Sequence, residues 1–129
     1  MDRNRILSAA LAAAGLSVLS AFPVLAGDSK AQVTTAAAHA GMAATAAELK
    51  MVKGHLQHVI NCLVGPAGEG YDAAQANPCK DQGFGAIPDA PMDKMPALKI
   101  AKDGAAESDL AKAQEKAAAT QVALGKISM

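Results

Sequence analysis

The chain has no tryptophan, and beyond residue 26 only Tyr71 and Phe84 supply benzene rings. That scarcity excludes the stacking platforms on which proteins hold single-stranded bases, and the aromatic shelves that grip sugars. Arginine is equally rare. Arg3 and Arg5 are the whole supply, so the 103 residues after position 26 hold ten lysines against eleven acidic side chains, a formal charge of −1. No basic field remains there for nucleic acid or anionic lipid. Catalytic signatures are missing too: there is no phosphate-cradling glycine loop, serine elbow or His-Glu-x-x-His, so the expectation is a non-enzymatic protein. Large apolar residues are sparse, with Val52, Leu56, Val59, Ile60 and Leu63 the densest group. Such a thin core gains from a crosslink, a ligand or a second subunit, whether a homodimer or another protein partner.

Cysteine is scarce as well, and the two that exist are informative through their compartment. Arg3 and Arg5 precede an apolar run from Ile6 to Phe22, Pro23 interrupts it, and Val24 and Ala26 occupy the two small-residue positions of a processing site. This is the layout of a secretory signal over 1–26, cut near Ala26 to leave a periplasmic or secreted protein with no stable membrane anchor. An uncleaved anchor is the competing reading, disfavoured by the short Ala-, Ser- and Gly-rich run. In an oxidising compartment Cys62 and Cys79 are expected to form a disulfide, worth about 3 kcal/mol for a loop of that size. The alternative, a metal or redox pair, lacks the Cys-x-x-Cys spacing.

What is present is mostly alanine in helical arrangement. After a short mobile leader over 27–33, the recurrence of Leu49, Val52, Leu56, Val59, Ile60 and Leu63 at steps of three and four predicts an amphipathic helix over 34–64. Thr45-x-x-Glu48 has the form of a capping box, placing the firm part of that helix after Thr45. From 65 to 104 the composition shifts to Gly, Pro, Asp and Asn, with Gly65, Pro66, Asn77, Pro78, Gly83 and Gly85 as shaping residues. In this stretch Gly83 and Gly85 let the Phe84 ring tuck against a helix, and Leu98-Lys99-Ile100 reads as a short extended piece. A second helix is expected over 105–124, buried along Ala106, Leu110, Ala113, Ala117 and Leu124 and stopped by Gly125. The fold class is therefore all-α: an antiparallel helical hairpin with a long disulfide-stapled Gly/Pro-rich loop, one small domain over 34–129.

The first helix carries one column of potential ligands. Met51, His55, His58 and Cys62 follow at steps of four, three and four, within an arc of about 60 degrees on a helix. Imidazole and thioether suit copper, and imidazole also suits zinc, so His55 and His58 with Met51 form a candidate metal site. A complete site needs further ligands, for which Met92, Met95, His39 or a partner chain are available. On a continuous helix His39 and Met42 turn more than about 100 degrees away from the column, which assigns them to another face. The alternative use of His55 and His58 is structural, donating to loop carbonyls beside Cys62. Covalent haem is excluded because Leu63 and Lys80 follow the cysteines where Cys-x-x-Cys-His is needed. Non-covalent haem ranks below copper and zinc, since the chain can scarcely line an apolar pocket.

The block His55-x-x-His58-x-x-Asn61-Cys62-Leu63-x-Gly65-Pro66, followed by Asn77-Pro78-Cys79 and by Gly83-Phe84-Gly85-Ala86-Ile87-Pro88-Asp89, resembles a group of small exported bacterial proteins. The resemblance covers about a quarter of the chain and implies a small exported helical protein with this loop. Together these features lead to two expectations: a non-enzymatic periplasmic binding or interaction protein, or a periplasmic copper, zinc or haem binder built on His55 and His58.

Overall fold

A computed structural model describes residues 27–90 and 93–127. The expected signal segment, and Met92 among the candidate ligands, lie outside them. The regular elements among the described residues are all helices: α1 (Ser29–Thr45), α2 (Leu49–Val64), the single turn α3 (Ala86–Asp89), α4 (Met95–Ala106) and α5 (Leu110–Ile127). Among them, no helix is long and apolar enough to cross a membrane.

The four longer helices form a ring in which α1 packs on α2 and α5, and α4 packs on α5 and α2. Neighbours run antiparallel. Gln114, near the start of α5, donates to the Ala46 carbonyl just past the end of α1 (2.9 Å), and Gly104 near the end of α4 lies against Leu56 and Lys116. The helical hairpin is thus present twice, as α1–α2 and as α4–α5, and the pair closes a four-helix bundle. Alanine makes this possible. The buried stripe of α1 is Val33, Ala36, Ala40 and Ala43, and the same core takes in Ala97 and Ala101 of α4 and Ala113 and Ala117 of α5. Such short side chains let backbones approach closely, while α2 supplies bulk through Val52, Leu56, Val59, Ile60 and Leu63.

Several sequence-derived boundaries need correction. The helix expected over 34–64 is interrupted at 46–48. Thr45 does not cap α2: its hydroxyl donates back to the Gly41 and Met42 carbonyls, and Glu48 is the residue from which α2 starts. The leader over 27–33 is helical from Ser29, with the Asp28 carboxylate accepting from the Ala31 amide (2.9 Å). It is ordered because the loop docks on it: Gln82 accepts from the Asp28 amide, and the Ser29 hydroxyl donates to Ala86.

The stretch over 65–104 ends in α4, so Leu98-Lys99-Ile100 is helix, not extended chain. Pro96 is compatible with this because it sits in the first turn, where its missing N–H costs nothing. Ala106 accordingly belongs to α4 and is exposed, while Ala113, Ala117 and Leu124 are buried in α5 as the stripe required. Gly125 does not stop α5, which continues to Ile127.

The Cys62–Cys79 disulfide is formed and buried. Beside it, Asn61 organises the loop with its whole side chain. Its Oδ1 accepts from the Asp72 amide and from Gln57, and its Nδ2 donates to the Asp72 and Ala76 carbonyls, all at 2.9–3.1 Å. Gly65 and Gly85 press backbone on backbone. Both have positive φ, 69° and 124°, and a Cβ on Gly65 would collide with the Phe84 carbonyl. Because main chain fills that space, the Phe84 ring does not tuck against a helix and is 58 % exposed.

Candidate metal centre

The reversal at 46–48 folds α1 back along α2 and carries His39 onto the column of His55 and His58. The expectation that His39 serves a separate face is corrected, since helical phase does not survive a break. The imidazoles converge through the same atom. His39 Nδ1 lies 3.4 Å from His55 Nδ1 and 3.3 Å from His58 Nδ1. Ring centroids are 5.1–5.6 Å apart, and all three residues are half-buried. The three ligand atoms lie within 4.8 Å of one another, and no further His, Cys, Asp or Glu among the described residues joins the group.

This arrangement does not satisfy itself well. A neutral imidazole Nδ1 offers either one N–H or one lone pair, so His39 makes at most one good hydrogen bond to its two neighbours. A cation satisfies all three. A tetrahedral ion with metal–nitrogen distances of about 2.05 Å separates its ligand nitrogens by about 3.3 Å, which the two His39 contacts match.

The electrostatics favour the lone-pair form. Burial, then the His58 and His55 rings, holds His39 below the ordinary imidazole range. Burial and the His55 ring do the same for His58. Neutral imidazole is the species that binds a metal ion.

The structural alternative for His55 and His58 finds no support in the loop, whose Gly70, Asp72 and Ala76 carbonyls are taken by Gln57 and Asn61. Of the thioether candidates, Met51 lines the same open cleft as His55 and His58 and is 50 % exposed. Met95 is not part of this region. It opens α4 ten residues before Ala105, the α4 residue on the cleft wall, about 15 Å away along the helix. Cys62 shares the column in sequence, but its sulfur is committed to the bridge.

Sequence reasoning built the site on two of the three imidazoles and offered His39 among the possible further ligands, but assigned it to another face. The missed signal was the length of the alanine-rich segment: two antiparallel helices of about 16 residues bring positions 39 and 55 to one level if the turn falls midway. No protein-family model matches the chain, and neither a curated protein nor a solved structure gives a match.

Proposed function

We propose that this protein is a small exported transition-metal-binding protein that holds zinc or copper on His39, His55 and His58. It binds and carries no catalysis of its own. The convergence of three imidazoles, with His39 Nδ1 at the spacing of a tetrahedral edge from both His55 and His58 Nδ1, supports this reading above all else. All three donors come from one chain, so the site needs no second subunit. Nitrogen donors suit zinc and copper, and Met51 on the adjoining cleft adds a soft atom within the same region.

The signal-like N-terminus and the sealed cysteines fit an oxidising compartment, where thiolate sites are at a disadvantage and imidazole sites persist. Equilibrium dialysis against zinc and against copper tests the proposal, using wild type, His39→Ala and the His55→Ala/His58→Ala pair. Stoichiometric retention by wild type with loss in both variants is expected. The loss should exceed the roughly 10–100-fold typical of removing an outer partner of a metal ligand. Equal retention by all three proteins would overturn it.

A further inference from the structure

Gly27 is wedged against the disulfide-stapled loop. A Cβ on it would overlap Asp89 Oδ2 and come within 2.7 Å of the Gly83 Cα. The fit is mutual: a Cβ on Gly83 would collide with the same Oδ2 and lie 2.6 Å from Gln32 Nε2 and 2.7 Å from the Gly27 Cα. Only two glycines let these chains touch. The next residue pins the contact, as the Asp28 amide donates to the Gln82 carbonyl at 2.7 Å. A Cβ stands about 2.5 Å from its own backbone nitrogen, so the Gly27 nitrogen lies within about 4.5 Å of Asp89 Oδ2.

We propose that cutting the export signal after Ala26 frees the Gly27 nitrogen as an α-ammonium, which pairs with the Asp89 carboxylate and locks the mature N-terminus onto the loop. The inference rests on the export reading and not on the metal. The cut is a hydrolysis: water adds across the Ala26–Gly27 peptide bond, its oxygen completing the Ala26 carboxylate and its two hydrogens completing the Gly27 ammonium. Three observations support the pairing. The small residues Val24 and Ala26 set the cut immediately before the one residue whose backbone touches Asp89. Asp89 Oδ2 accepts only from neutral groups, Gln32 Nε2 at 2.6 Å and the Phe84 amide at 2.8 Å, which leave its charge uncompensated. Lys94 senses the same carboxylate, but its ammonium donates to the Ala90 carbonyl at 3.2 Å. Finally, Gln32 is fully buried and its Oε1 has no hydrogen-bond partner among the described residues. That oxygen belongs to the carboxamide already bonded to Asp89, so a cation with three donors arriving there meets a second acceptor in need of one. The uncut chain offers a single neutral N–H at this place.

Protein recovered from the exported fraction with its disulfide intact tests this in two steps. N-terminal sequencing should begin at Gly27. The pH dependence of acetic anhydride labelling at that amine, followed by mass spectrometry of the first peptide, then gives its pKa. We expect a value about one unit above the ordinary range of about 7.7–8.0 in wild type, returning to that range in Asp89→Asn, which keeps an oxygen for Gln32 and Phe84 without the charge. The wild-type value decides on its own should Asp89→Asn not fold. A first residue other than Gly27 would overturn the cut and the inference together. An amine titrating in the ordinary range, or one raised equally in Asp89→Asn, would overturn the ion pair and leave the export reading standing.

Discussion

Asn61 is fully buried, and four hydrogen bonds converge on its carboxamide, three of them to the backbone of residues 72 and 76. Alanine at this position would leave the Asp72 amide and two carbonyls of a part-buried loop without the side chain that holds them. We therefore expect Asn61→Ala to destabilise the protein by about 3 kcal/mol in chemical denaturation, with new proteolytic cleavage between 65 and 79. A second residue-scale outcome concerns pH. His39 and His58 have folded-state affinities for protons below that of free imidazole. The unfolded chain therefore takes up their protons first as pH falls. Their contribution to stability is complete above about pH 6.5 and is lost as pH drops below that value. Metal-free protein should thus melt at a lower temperature at pH 5 than at pH 7.5, and His58→Ala should flatten the difference. A melting temperature unchanged across that window would show that the cluster adapts to charge without strain.

At the scale of the helix, α2 shows what could be read from sequence and what could not. Its stripe of Val52, Leu56, Val59, Ile60 and Leu63 is buried as the periodicity requires. The disulfide likewise follows from two cysteines in the chain. Thr45-x-x-Glu48 marked a helix boundary near the turn at 46–48, but not that the chain reverses there, because alanine serves a continuing helix and a tight antiparallel crossing equally well. α4 was hidden for the opposite reason. Ala97, Leu98 and Ala101 have helical spacing, but Pro96 and Asp103-Gly104 resemble breakers unless they are known to fall in a first and a last turn. One consequence is measurable at Gly54. It lies within α2, and a Cβ there meets nothing within 4 Å. Gly54→Ala should stabilise the fold by up to about 1 kcal/mol, seen as a higher melting temperature.

For the molecule as a whole, the metal would act as a crosspiece between α1 and α2, tying down a helix whose buried face is largely alanine. Only the folded state presents the three nitrogens together, so a bound ion stabilises that state alone. At a free zinc concentration of a hundred times Kd the expected gain is about 2.7 kcal/mol. Thermal unfolding with zinc and with a chelator should differ accordingly, and the difference should vanish in His39→Ala. The staple acts further along α2, near its C-terminal end. It ties the loop to α2, and residues 82–89 reach onward to α1 through Gln32, which donates to the Gln82 carbonyl and the Asp89 carboxylate.

Sealing both sulfurs in that bridge, with Cys62 and Cys79 at 0 % and 2 % exposure, has an effect at the other end of the hairpin. Peroxide and hypochlorous acid strip metal from thiolate sites by consuming the donor atoms themselves. An ion held on His39, His55 and His58 would rest on ring nitrogens with the thiols already spent, so an oxidant that empties a thiolate site by consuming its sulfurs would find no such donor to consume here.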